Sequence, residues 1–156
     1  MAEEVNMRRS QAILRMPVDS VLATLVLHDG ERSDVLLFVG PGEGITDLLS
    51  GGDAFVAAIR DARPCLVARD AIAVVSVVIG PEPPDDGALP IKRQRVRIRL
   101  RSGKLIEGEL RWTACEGDAQ TAGHVNDPAA FLIVHATEAK TLHYIAKSQV
   151  ATIEDT

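Results

Sequence analysis

Residues 95–112 read RVRIRLRSGKLIEGELRW, and this stretch decides the fold class. Val96, Ile98 and Leu100 alternate with Arg95, Arg97, Arg99 and Arg101, the period-2 signature of a strand with one wet face. A three-residue loop, Ser102-Gly103-Lys104, sets Leu100 against Ile106, Ile98 against Gly108 and Val96 against Leu110. The same register places Arg99 opposite Glu107 and Arg97 opposite Glu109. A two-residue loop would set Ile98 against Glu107 and Arg99 against Ile106. The pattern therefore selects three loop residues, with Gly103 supplying positive φ. One face of the hairpin is apolar and the other carries opposite charges.

The strand pattern continues on the N-terminal side. Residues 21–27 and 33–39 read as strands around a His28-Asp29-Gly30-Glu31 turn. A loop at 40–44 is followed by residues 45–49, a Ser50-Gly51-Gly52 turn, a strand near 54–59 and a last strand region over 65–79. The segment PEPPDDGALP, residues 81–90, holds four of the eight prolines and three acids and reads as an exposed linker. Residues 3–15 allow a short helix, which Pro17 stops.

Across the linker the second half repeats the first. Leu27 and Gly30 match Leu100 and Gly103 at an offset of 73, and Phe55 matches Phe131 at 76. Residues 66–69, Leu-Val-Ala-Arg, match residues 144–147, Tyr-Ile-Ala-Lys, at 78, with Ile72 and Val75 matching Val150 and Ile153. The slow growth of the offset places indels in loops while strand order stays constant. The expectation is an all-β chain made of an N-terminal segment (1–16), a first β unit (17–80), the linker (81–90) and a second β unit (91–156). Each unit has the many short strands of a small barrel or sandwich. At this size each is near the lower limit for standing alone, so the two are expected to pack together.

Residues 96–110, HVND at 124–127, FLIVH at 131–135 and YIAKSQVATI at 144–153 resemble the two-part signature of Sm-like proteins, the family that includes Hfq-type RNA chaperones. The resemblance is clearest over residues 94–155 and weak over 19–79. It implies two tandem small Sm-like β-barrels, with Gly103 in the first turn and Gly108 at a bend of the second strand, where a side chain would obstruct the curling sheet. For RNA binding it implies Asn126 in one loop and Lys147 near the last strand. Ser148 stands where the family has Gly, Val35 stands in the first half at the place matching Gly108, and the first half holds Ser50 and Arg69-Asp70 at the other matching places. The fold resemblance is therefore worth more than the functional one.

The bulk numbers narrow the function. Hydrophobic residues make up 46% and aromatic ones only 3%, so the core is aliphatic and a surface of stacked rings is not expected. The net charge is −5, yet residues 17–80 hold 4 basic and 9 acidic side chains while 91–156 hold 10 and 8. The basic stripe of Arg97, Arg99 and Arg101 could follow a phosphate backbone, although cross-strand Glu107 and Glu109 make a solvated, paired face the simpler account. Two cysteines and a start without an apolar h-region make the cytoplasm the expected compartment, and the longest apolar run is too short for a bilayer.

Cys115, His124, His135 and His143 have no compact metal spacing, and no nucleophile or phosphate-loop motif is present. No enzyme activity, cofactor or metal is expected. In the first hairpin, the three-residue register sets Leu25 against Val35 on one face, and Leu22 against Phe38 and Thr24 against Leu36 on the other. Both faces are largely apolar, so Leu22, Thr24, Leu36 and Phe38 are the candidate interface. The resulting expectation is a non-enzymatic binding or assembly module with a protein partner or a second copy; the alternative is an RNA binder using Asn126, Lys147 and the arginine stripe.

Overall fold

The computed structural model describes residues 19–80, 90–113 and 120–156. The expected N-terminal helix and nearly all of the proline linker lie outside the described residues. The chain is mostly antiparallel β: β1 (Asp19–Leu27), β2 (Arg32–Val39), β3 (Phe55–Arg60), β4 (Arg63–Ala68), β5 (Ile72–Val78), β6 (Ile91–Leu100), β7 (Leu105–Thr113), β8 (Phe131–Ala136), β9 (Thr141–Ala146) and β10 (Val150–Asp155). Two short helices, α1 (Ile45–Ser50) and α2 (Thr121–Val125), stand between β2 and β3 and between β7 and β8.

All ten strands form one sheet in the order β10-β6-β7-β8-β9-β5-β1-β2-β3-β4. Within it β5-β1-β2-β3-β4 and β10-β6-β7-β8-β9 follow the same internal order. Among the described residues the sheet does not close, and β10 and β4 are its edges. Two aliphatic cores lie along it. The first gathers Leu25, Val35, Leu37, Val56 and Val75 with Ile45 and Leu49 of α1; the second gathers Val96, Ile98, Leu100, Leu110, Val134 and Ile145.

Both leading hairpins differ from the sequence expectation by two residues. Ile98 pairs with Ile106, Arg97 with Glu107 and Val96 with Gly108, so the loop is Arg101-Ser102-Gly103. Leu25 likewise pairs with Ser33, Ala23 with Val35 and Leu22 with Leu36. The reason is turn chemistry: a three-residue hairpin loop is a type I turn followed by a left-handed residue. The glycine must therefore stand third, as Gly30 (φ 91°) and Gly103 (φ 94°) do. A slip of two leaves each side chain on its expected face.

Two further expectations are corrected. Residues 45–50 form α1 rather than extended chain, because Ile45 and Leu49, one helical turn apart, both reach the first core while the Asp47 carboxylate accepts the Gly44 amide at 2.9 Å. The single strand region expected over 65–79 is split by a 3-10 turn, Arg69–Ala71, into β4 and β5; a matching turn, Lys147–Gln149, separates β9 and β10. No helix among the described residues is long and apolar enough to cross a membrane.

Candidate functional site

The halves are joined by β5 and β9, which pair antiparallel with Val74 opposite Ile145, Val75 opposite Tyr144, Ser76 opposite His143 and Val77 opposite Leu142. Alternation then sends neighbouring residues into different cores. Val75, Val77 and Tyr144 enter the first core, with Phe131 and Leu142 packed against it. Val74 and Ile145 enter the second, together with Val26 and Ala73. Each half thus completes the other's core.

The outer edges present the same kinds of positions without a neighbouring strand among the described residues. Leu66 on β4 stands 78 residues before Tyr144, and Ile153 on β10 stands 78 after Val75. Tyr144 is 9% exposed, whereas Leu66 is 71% exposed; Phe55, matching half-buried Phe131, is 56% exposed. Carried over, the joint's register would set Ile153 against Leu66, Thr152 against Val67, Glu154 against Cys65 and Asp155 against Pro64. Pro64, with no amide hydrogen, bounds such a ladder. Large exposed apolar side chains beside an unpaired ladder mark an edge suited to strand addition.

The expected interface residues share the face opposite the first core. Leu22 is 69% exposed and pairs with Leu36, which is half-buried, as is Phe38 opposite Ser20. Thr24 instead donates its hydroxyl to Asp34 at 2.8 Å, so this face has a polar break in its middle.

The arginine stripe is exposed as expected, but the register changes its ion pairs. Arg97 pairs with Glu107 at 2.9 Å, while Glu109 is held by Arg111 at 2.7 Å and Arg93 at 3.6 Å. Arg99 faces Leu105, not Glu107. Arg101 donates from Nε to the Ser148 carbonyl at 2.7 Å, which brings the end of the stripe to the turn carrying Lys147. Lys147 Nζ is itself taken up by Asp127, at 2.7 Å to Oδ1 and 2.8 Å to the carbonyl. Asn126 donates its side-chain amide to the Ala122 carbonyl of α2 at 2.8 Å. Beside them the rings of Trp112 and His124 stack at 4.8 Å and 8°.

Among the described residues no group of three or more His, Cys, Asp or Glu is arranged to hold a metal. His143 pairs with Val134 and His135 with Leu142. Adjacent register positions alternate faces, so these two histidines point to opposite sides of the sheet rather than toward each other.

Burial, its largest cause, pushes the His143 imidazole below the ordinary 6.5, and Lys104 adds to this; burial also lowers His124 against the pull of Asp127. A depressed folded pKa means that the unfolded chain binds protons first on acidification. The contribution of these two residues is fully present above pH 6.5 and is lost as pH falls through their lower folded values. The melting temperature is therefore expected to decline as pH drops below 6.5, measured by calorimetry in matched ionic strength, and His143→Asn should flatten that decline. An unaltered slope in the variant would contradict this account.

Comparison with protein-family models, with curated proteins and with solved structures gave no match to this chain.

Proposed function

We propose that this protein is a non-enzymatic assembly module: two tandem Sm-like β units, related as copies of one ancestor, that join further copies of the chain head to tail by adding β10 of one molecule to β4 of the next. The observation that carries this reading is the contrast between Tyr144 and Leu66. They occupy matched places on their strands, and the one beside a neighbouring strand is 9% exposed while the one at the edge is 71% exposed. Burying an exposed Leu or Phe contributes about 1.5–3 kcal/mol each, so Leu66 and Phe55 together supply a hydrophobic centre for the contact. The rim adds charge complementarity, with Glu154 and Asp155 on β10 facing a β4 edge that begins at Arg63. Such a contact uses two different surfaces, so it builds a ring if the rotation closes and a filament if it does not.

Light scattering behind a sizing column tests this. The expected result is a mass several times 16.7 kDa, and Leu66→Lys should bring it down to the monomer without unfolding it, since the side chain lies outside both cores. A monodisperse wild-type monomer at high micromolar concentration would overturn the proposal. So would a Leu66→Lys protein of unchanged mass.

The RNA reading keeps one specific support: Lys92, Arg95 and Arg99 on β6 are exposed and form no ion pair among the described residues. Against it, Lys147 and Asn126 are committed to Asp127 and Ala122. The same chromatogram tests it, because with one Trp and one Tyr bound nucleic acid dominates absorbance at 260 nm. A protein-like spectrum at low salt speaks against this second reading.

A further inference from the structure

We propose that the cleft at the joint between the two halves binds a small organic anion, a phosphate monoester on a compact apolar body. The cleft is a cavity of about 310 Å³, near the lower end for small-molecule sites. It exists only because β5 and β9 meet: Thr24 and Ser76 come from the first half, Thr141 and His143 from the second. Val74 and Ile106 give it an apolar wall, and Arg32, the first residue of β2, and Lys104, just before β7, bring two cations to it.

The two cations suit an anion. No carboxylate lines the cavity, and neither Arg32 nor Lys104 has an ion-pair partner among the described residues. Asp34, the nearby acid on β2, accepts the Thr24 hydroxyl. Ser76 Oγ and His143 Nδ1 lie 2.6 Å apart. With the serine hydroxyl donating to Nδ1, the imidazole keeps its proton on Nε2, the tautomer that offers a further donor. A guanidinium fork, an ammonium group and an imidazole N–H together match the charge and the acceptor oxygens of a phosphoryl dianion better than a monoanionic carboxylate, while the Thr24 and Thr141 hydroxyls donate to Asp34 and to the Ala139 carbonyl. The apolar wall accounts for the body attached to it.

The outer edges do not repeat this chemistry. At the matched positions Ser76 becomes Glu154, His143 becomes Cys65, Lys104 becomes Glu31 and Arg32 becomes Leu105. Among the described residues there is one such site, and it is independent of whether copies of the chain associate.

The test is an NMR titration of the histidine ring resonances with inorganic phosphate, phenyl phosphate and benzoate, the His143 signal being identified by its loss in His143→Asn. Phenyl phosphate is expected to shift the His143 resonances saturably, more tightly than inorganic phosphate, with benzoate much weaker. Lys104→Ala and Arg32→Ala, both exposed side chains outside the cores, should each weaken binding by about tenfold, the loss of one charge-assisted contact. Absence of a saturable His143 shift with either phosphate would overturn the site. Equal binding of benzoate would overturn the phosphoryl assignment, and unchanged affinity in both variants would overturn the role given to the cations.

Discussion

Gly108→Val is expected to lower the unfolding free energy by about 3 kcal/mol, and Gly108→Ala by about half as much, as read from urea denaturation at constant m-value. A Cβ built on Gly108 would lie 2.5 Å from Val134 Cγ1 and 2.9 Å from the His135 carbonyl oxygen. Val134 is fully buried, so it cannot swing outward, and the carbonyl belongs to the strand that pairs with β7 through Glu109 and His135. Relief therefore requires moving backbone in the second core. The first half offers the converse. Val35 is itself a buried core residue there, so Val35→Gly removes packing rather than relieving a clash and is destabilising too. A Gly108→Val protein as stable as the wild type would mean that β7 and β8 do not approach as closely as described.

Tyr144→Ala carries the second large effect, about 3 kcal/mol for truncating a buried aromatic ring. Its signature is where the loss falls. Tyr144 belongs by sequence to the second half, yet it packs in the first core against that half's residues and its hydroxyl meets Thr46 of α1. Hydrogen exchange should therefore show lost protection in β1, β2 and β5, and denaturation should remain one transition because the halves share both cores. If protection falls only in β8 and β9, the two cores are separable and the joint is a mere contact.

How far the chain could be read from its residues follows from the range of the forces involved. Alternation is local, so the faces of β6 and β7 and the positive φ of Gly103 were legible at once. The pairing offset was not, because side-chain pattern has period 2 and accepts a slip of two; only the place of Gly in the turn rejects it. The helix α1 is not legible in the residues because Ile45 and Leu49 read equally well as short extended chain, and the first core decides between them. Lys147 and Asn126 stand out by resemblance, while their partners Asp127 and Ala122 are set by the approach of α2 to the turn after β9. The pairing of Ser76 with His143 had no sequence signal, since 67 residues and a proline-rich segment separate them.

By itself the sequence determined an antiparallel β chain, an aliphatic interior and two halves that place similar residues at a nearly constant offset, since all three depend on hydrophobic period and turn residues within a few positions. Tertiary structure decided that ten strands share one sheet, that Val74 and Tyr144 serve the core of the opposite half, and which edges stay open. Those outcomes depend on which strand finds which neighbour across long separations. That choice is made by packing and by backbone hydrogen bonds common to every residue, and neither leaves a local mark on the residues involved.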